Sequence, residues 1–299
     1  MASEYGVLVV DKPTGCTSHD VVGRARRARG IRRIGHAGTL DPDASGVLVL
    51  GMGPATRLLG YLSGADKDYL TTIVLGSSTT TDDAAGDVLT RSDASGVGIA
   101  DVVAAAAALT GDILQRPSAV SAVKVSGRRA YDRVRAGEDV VLEPRAVSVE
   151  RFEVLALAPA DDAGLVSLEA RVTCSAGTYV RALARDLGQA LGVGGHVARL
   201  RRLRSGAFVE EEAVPLEGMG EAPLITPAEA ARRSLAWREV SREDADRIRH
   251  GLRLPWPGEP AAGDAAIALV CGDDLAALAR ESGGRAHYLA VFPAADTVA

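Results

Sequence analysis

At 299 residues the chain has material for one large domain and a small one, with an ample buried core. No apolar run reaches the ~18 residues of a membrane-spanning helix, and the opening MASE lacks the basic start and apolar stretch of a signal peptide, so a cytoplasmic protein with no membrane partner is expected. The formal net charge of −5 argues, taken alone, against a polyanionic partner, and Cys16, Cys174 and Cys271 are odd in number and far apart, so neither a disulfide framework nor a paired CxxC metal site is suggested.

Residues 6–10 read as a strand entering a turn at Asp11-Lys12-Pro13. Ser18 is placed to cap a helix that runs through Val21, Val22 and Arg26 and stops near Gly30. This region carries Arg24, Arg26, Arg27, Arg29, Arg32 and Arg33 with no acidic residue among them, and Arg199, Arg201, Arg202 and Arg204 form a second cluster. Concentrated arginines make a local field that the overall sum hides, so a phosphate backbone can meet them while acidic residues elsewhere keep the protein in solution. Lysine occurs only at 12, 67 and 124.

Residues 35–47, GHAGTLDPDASGV, read as a shaped loop. Gly35, Gly38 and Gly46 permit backbone conformations closed to other residues, and Pro42 fixes the chain beyond Asp41. Asp41 then stands at the apex. A carboxylate with an ordinary pKa near ~3.9 is ionised at neutral pH and can act as nucleophile or base with no partner to deprotonate it. An Asp before Pro in a glycine-rich loop is also an ordinary turn-former, so spacing alone leaves both roles open.

Beyond the loop, residues 47–51 are a buried-strand candidate, 55–62 a short helix and 69–75 an alternating strand. Residues 77–86, SSTTTDDAAG, are polar and read as a flexible or capping loop rather than a metal site. An alanine-rich helix is expected over 99–109 with Gly111 as its stop, an extended stretch over 117–125 and a helix over 128–136. Strands at 146–157 and 165–174, separated by Pro159, Asp161, Asp162 and Gly164, form a hairpin. A helix follows from Thr178 to about Leu191, with Val180, Leu183, Leu187 and Leu191 towards the core and Arg181 one turn before Arg185. Residues 196–208 read as a strand, and 209–224 as acidic and irregular. A boundary near 228 separates a domain over 1–228 from a small, mainly β module over 229–299, with a helix at 242–250 and apolar runs at 265–270, 275–279 and 288–292.

The stretch Gly35-His36-Ala37-Gly38-Thr39-Leu40-Asp41-Pro42, followed by Ala44-Ser45-Gly46-Val47-Leu48, resembles the catalytic motif of the tRNA pseudouridine synthases of the TruB branch. Further segments fall in the order of that family. They are Asp11-Lys12-Pro13 with Gly15 and Thr17-Ser18-His19, Lys67-Asp68-Tyr69, and Gln115-Arg116-Pro117 with Ser121-Ala122 and Lys124. The segment from Cys174 through Gly177-Thr178-Tyr179-Val180 to Arg181, and Arg202-Leu203-Arg204-Ser205-Gly206, complete the set. The resemblance spans about residues 6–208. Two positions depart from the pattern: Ala37 stands where a hydroxyl or other small residue is common, and Asp43 where an apolar residue is frequent.

The resemblance implies an α+β fold with a mixed, mainly antiparallel sheet and flanking helices. It implies a C-terminal module that is either a PUA-like RNA-binding domain or a docked extension. The implied reaction converts a uridine in the T loop of tRNA to pseudouridine, on a flipped-out base, with neither cofactor nor metal. The implied enzyme is a monomer whose partner is the T arm, with a tRNA-folding role beside catalysis. Asp41 would be the nucleophile, at C6 of the base or C1′ of the ribose. Arg181 would pair with Asp41, Tyr69 would stack on the base and shuttle a proton, and His36 would fill the gap left by the flipped uridine. Lys12, Lys67, Lys124, Tyr179, Arg27, Arg29, Arg202 and Arg204 are the expected RNA contacts, the lysines also as braces of the loop.

Two other readings use the same residues. Asp41-x-Asp43-x-Ser45 superficially fits the DxDx[ST] motif of Mg²⁺-dependent aspartate-nucleophile phosphatases, but that motif should follow an apolar strand and residues 33–38 are basic and glycine-rich. A non-catalytic RNA-binding or RNA-folding module would account equally well for the arginine clusters.

Overall fold

The computed structural model describes residues 5–118, 124–125, 128–129, 142–256, 258 and 265–294, with the backbone alone at 124–125 and 128–129. Its strands are β1 (Gly6–Lys12), β2 (Ile34–Ala37), β3 (Ala44–Met52), β4 (Lys67–Leu75), β5 (Ser77–Thr79), β6 (Val88–Arg91), β7 (Gly111–Gln115), β8 (Lys124–Val125), β9 (Arg128–Arg129), β10 (Arg145–Leu157), β11 (Val166–Cys174), β12 (Gly195–Ser205), β13 (Phe208–Val209), β14 (Trp237–Glu239), β15 (Ile267–Cys271), β16 (Asp274–Ser282) and β17 (Arg285–Val291). The helices are α1 (Ser18–Arg29), α2 (Leu59–Ser63), α3 (Ile99–Ala108), α4 (Val180–Ala190), α5 (Pro227–Ser234) and α6 (Arg242–Arg249). This is the expected α+β architecture. Two compact units divide it, one of Met1–Pro42, Gly46–Ala65 and Ser205–Ala299, the other of Asp43–Ser45 and Asp66–Arg204.

In the first unit β3 is flanked on both edges. It pairs antiparallel with β1, from Gly6 opposite Met52 to Lys12 opposite Gly46, and with β2, from Ile34 opposite Met52 to Ala37 opposite Val49. Buried along its whole length but for the half-buried Ser45, it reads as an almost unbroken apolar run, and pairing with both neighbours carries it beyond the predicted 47–51. Strand β2 corrects the sequence reading, because the first part of the presumed loop is sheet. The other edge of β1 is covered by the returning chain: Val7 and Ile225 exchange hydrogen bonds at 2.8 and 2.9 Å, and Asp11 N donates to Val214 O at 2.8 Å.

The cap of helix α1 lies one residue earlier than predicted, and Ser18 is the first residue of the helix. Thr17, not Ser18, is the N-cap, with its hydroxyl accepting from Asp20 N at 3.0 Å and the Asp20 carboxylate accepting from Thr17 N at 2.9 Å. The helix stops at Gly30 in the left-handed conformation, as expected.

The C-terminal strands form a sheet in the order β14-β15-β16-β17, parallel between β14 and β15 and antiparallel elsewhere. One hydrophobic core joins it to the N-terminal strands: Val7, Val49 and Phe208 belong to the same cluster as Ala230, Ala231, Val270, Leu278 and Phe292. Tyr5 donates its hydroxyl to Pro293 O at 2.7 Å, and Arg57 donates to Val291 O. The sequence-based boundary near 228 therefore falls inside α5, a helix capped by Thr226 and started by Pro227.

In the second unit the strand order is β12-β4-β11-β10-β7. The predicted hairpin is present as β10 and β11, and β4 pairs antiparallel with β11 from Leu75 opposite Val166 to Lys67 opposite Cys174. Three local expectations are corrected. Residues 77–79 and 88–91 form a two-stranded ribbon, so the expected loop is in part sheet. Gly111 opens β7 at φ 92°, while α3 ends at Ala108 with Leu109 as its cap. Arg128 and Arg129 pair with Val125 and Lys124 as strand rather than starting a helix, and residues 130–136 of that expected helix lie outside the described residues.

Candidate active site

The loop after β2 is built to hold Asp41 still. Gly38 adopts φ 86° and Gly46 φ 101°, a region that favours glycine, whereas Gly35 does not take a positive φ and sits within β2. On one flank of Asp41, the buried Ser18 hydroxyl accepts from Leu40 N at 2.9 Å and donates to Leu40 O at 3.1 Å. On the other flank, Pro42 O accepts from Gly15 N at 2.9 Å and from Lys12 Nζ at 3.1 Å. Both neighbours of Asp41 are thus tied to the β1–α1 segment through their own backbones, and the half-buried carboxylate stands between two fixed points. Fixing a reacting group before substrate arrives removes a cost that would otherwise fall on the barrier.

This arrangement assigns Lys12 a role different from phosphate contact. Its side chain is 0% exposed and also donates to Pro13 O at 2.9 Å, so the ammonium braces the loop from inside, the second of the two roles expected for it. Arg29 is corrected likewise, because its guanidinium donates to Met219 O at 2.6 Å and to Ala222 O, fastening α1 to the returning chain. Arg26 donates to Ile34 O at 2.9 Å and fastens α1 to β2. Arg24, Arg27, Arg32 and Arg33 remain exposed, and His36 is half-buried on β2 opposite Leu50.

In the second unit β4 presents Lys67 and Tyr69 on one face and Asp68 on the other. Tyr69 is buried to 8% exposure opposite Val172. Lys67 is buried, and that burial together with the neighbouring Arg202 pulls its ammonium down to about 8. Arg202, 1% exposed, belongs to the interior, so neither residue presents the open surface that phosphate contact requires. Burial pushes the Cys174 thiol beside Lys67 up to about 11. Asp68 feels burial first, but hydrogen bonds and charge from Arg171, with a further bond from Thr173 Oγ1 at 3.2 Å, hold its carboxyl below the usual range. The side chain of Lys124 and residues Ser121 and Ala122 lie outside the described part of the structure. Arg199 is exposed on β12, with Arg201 and Arg204 half-exposed.

Arg181 is the second residue of α4 and is 5% exposed. Its Nη1 donates to Thr81 O at 2.9 Å and to Asp83 Oδ2 at 3.1 Å. One turn on, Arg185 Nη1 donates to Asp82 Oδ2 at 3.1 Å and Nη2 to Arg116 O at 2.8 Å. The acids of SSTTTDDAAG, expected to lie in a flexible or capping loop, are therefore the anions that hold two arginines of α4. The turn that carries them is pinned to β12, Val197 N donating to Asp82 O at 3.0 Å and Ala84 N to Val197 O at 2.9 Å. A buried arginine needs such partners, since an unpaired buried charge costs several kcal/mol by the usual ~3–5 kcal/mol scale. Tyr179, the half-buried N-cap of α4, is held through its backbone by Gln115.

Ser18 in the first unit, and Gln115, Asp82 and Asp83 in the second, hold candidate residues of their own unit in place, and sequence reasoning does not assign them that part. Ser18 and Gln115 are visible as members of the motif segments, and the two aspartates as an unexplained acidic pair. Among the described residues no group of three or more His, Cys, Asp or Glu is arranged to hold a metal, and no helix is long and apolar enough to cross a membrane.

Residues 26–180 match the family described as "TruB family pseudouridylate synthase (N terminal domain)", and residues 181–236 match "tRNA pseudouridylate synthase B C-terminal domain". The protein named tRNA pseudouridine synthase B of Arthrobacter sp. (strain FB24) is 49% identical over 294 residues, covering 96% of each chain. That of Nocardia farcinica (strain IFM 10152) is 52% identical over 94% of this chain and 91% of its own. Among solved structures, a Cbf5-Nop10-Gar1 complex contains a chain matching 99% of this one and 87% of its own at 28% identity and a TM-score of 0.75. An H/ACA RNP bound to a substrate RNA containing 2′-deoxyuridine gives 25% identity and a TM-score of 0.74 at the same coverage. With both the clamped Asp41 loop and the Arg181 helix inside the matched segments, the chain belongs to the TruB family of pseudouridylate synthases, which are isomerases.

Proposed function

We propose that the chain isomerises a uridine in the T loop of tRNA to pseudouridine, as a monomer and with Asp41 as nucleophile. The observation that carries this reading is the loop clamped on both flanks of Asp41 by Ser18, Gly15 and Lys12. Support for tRNA as substrate comes from relatives of that name at about half identity over nearly the whole chain. The reaction breaks the N1–C1′ bond, turns the base and forms C5–C1′. C5 loses a proton and N1 gains one, so atoms balance without an external reagent. Asp41 holds the base or the sugar during the turn, and Arg181 keeps it ionised and oriented. His36 takes the space of the flipped base, and the exposed Arg27 and half-exposed Arg204 meet phosphates. Incubating the purified chain with an unmodified tRNA transcript and quantifying pseudouridine at the T-loop uridine tests the reading directly. No product at that uridine, with or without EDTA, would end it.

Tyr69 is assigned stacking and proton transfer, two roles that one substitution separates. Tyr69→Phe keeps the ring in its buried place on β4 and removes only the hydroxyl. Single-turnover assays should give RNA binding near wild type with chemistry slowed about 10²-fold, the lower end of general acid–base effects. An unchanged rate would leave Tyr69 a packing role alone.

Exposed arginines, rather than the cluster as a whole, set the salt dependence of binding. Arg24→Gln with Arg27→Gln removes two exposed charges of α1 and should lower the slope of log affinity against log salt by about 0.7–0.9 for each phosphate no longer neutralised. Arg151→Gln, on an exposed residue already paired with Glu153 at 3.7 Å, should leave the slope unchanged. Fluorescence anisotropy with labelled T-arm RNA across a salt series measures both. Identical slopes would make α1 a solvated face.

A further inference from the structure

Helix α4 begins without the usual cap. Ser, Thr, Asp or Asn normally accept from the first free N–H groups of a helix, but the N-cap here is Tyr179, whose side chain makes no capping bond. The entry is held from outside. Gln115, the last residue of β7 and 1% exposed, accepts from Tyr179 N through Oε1 at 2.8 Å and donates from Nε2 to Tyr179 O at 3.1 Å. The same carbonyl accepts from Leu183 N at 3.1 Å, so it is shared between the helix and Gln115. The next residue, Arg116, accepts from Arg185 Nη2 through its carbonyl at 2.8 Å. Two consecutive residues at one strand end thus grip α4 at two points, at its N-cap and further on at Arg185. Arg181 lies between them, its far end tied to Thr81 and Asp83.

We propose that Gln115 is a positioning residue for the reaction, fixing the start of α4 so that Arg181 is presented at the right height and rotation. This rests on the reading that Arg181 serves the reaction. Asp83 and Thr81 fix one end of the arginine, and the backbone fixed by Gln115 is the other end. Releasing the backbone lets the guanidinium stay with Asp83 while the helix start shifts, and misplacement by ~1 Å can cost on the order of 100-fold in rate.

The test uses the full chain with unmodified T-arm transcript, and three variants. Gln115→Leu keeps the bulk and removes both hydrogen bonds, and should lower kcat by about 10- to 100-fold with KM and RNA affinity nearly unchanged. Gln115→Glu supplies a signature that a packing role would not move. Its carboxylate still accepts from Tyr179 N but opposes Tyr179 O. Once protonated, it can donate to that oxygen as the amide does. Its kcat relative to wild type should therefore rise as pH falls through its carboxyl pKa. Burial raises that pKa, while Arg145 across the ladder and Arg185, bonded to the next residue's carbonyl, lower it. Arg181→Ala is the control for the underlying reading. If it is inactive while Gln115→Leu, folded by thermal melting, keeps wild-type kcat, the positioning role fails and the reading of Arg181 stands. If Arg181→Ala is itself active, the underlying reading fails. A flat ratio of Gln115→Glu to wild type from about pH 8 to pH 5 would also overturn the inference.

Discussion

Asp41→Asn is expected to abolish pseudouridine formation while leaving tRNA affinity and thermal stability close to wild type. The separation follows from how the loop is held. Ser18 bonds the backbone of Leu40 in both directions, and Gly15 and Lys12 bond the carbonyl of Pro42, so these clamps do not involve the side chain of Asp41. An asparagine therefore inherits the position of the carboxylate, with nearly its shape but without its charge. Its amide is a far poorer nucleophile at either C6 or C1′. Removal of a nucleophile acts on the scale of about 10⁴ to 10⁶ in rate, well beyond what a displaced loop would cost. Pseudouridine quantified in T-arm transcript under single-turnover conditions gives the rate, and filter binding gives the affinity. Residual turnover within about 100-fold of wild type would take the nucleophile's role from Asp41. Equal losses of turnover and affinity would indicate instead that the aspartate shapes the RNA surface.

How far the sequence foretells this depends on the range of the interaction. Elements set by local signals are legible: α1 between Thr17 and Gly30, the β10–β11 hairpin around its Asp and Gly turn, and α4 with its apolar stripe. Asp41 is legible too, because its loop carries its own glycines and proline. Elements defined by distant partners are not. Strand β2 lies within a GHAG stretch that has turn-forming composition, and it is strand because β3 offers it an edge. The ribbon of β5 and β6 is hidden in a run of hydroxyls and acids, whose Asp82 and Asp83 gain their meaning from Arg185 and Arg181 about a hundred residues away.

Charged side chains mislead for a related reason. Lys12 and Lys67 read as phosphate contacts or braces of the loop, since hydropathy places an ammonium in water unless a partner is known. Carbonyls of Pro13 and Pro42 receive Lys12 inside the loop, and Lys67 shares the interior with Arg202 and Cys174. Arg29 reads as a member of the exposed cluster, although two backbone carbonyls of the returning chain occupy it. Carbonyl acceptors carry no residue-type signature. A sequence therefore gives little warning that a particular cation will be consumed by them.

Removal of residues 229–299 is expected to unfold the first unit rather than merely weaken tRNA binding. On the sequence alone this segment could be a separable RNA-binding module, and a truncated chain would then keep some activity on a T-arm stem-loop. Its core says otherwise. Ala230, Ala231, Val270, Leu278 and Phe292 share one buried cluster with Val7, Val49 and Phe208. The cut also splits α5 after its second residue. Phe292 alone is 0% exposed, and truncating a buried phenylalanine to alanine costs about 3–5 kcal/mol. Net stabilities of ~5–15 kcal/mol cannot absorb the loss of several such side chains and a sheet at once. Circular dichroism of the 1–228 fragment should show no cooperative melting, and its pseudouridine activity should be absent. Phe292→Ala in the full chain is the graded version, expected to lower the melting temperature by several degrees with kcat unchanged in the molecules that remain folded. A truncated fragment that melts cooperatively and modifies T-arm RNA would restore the module to independence and make the shared core dispensable.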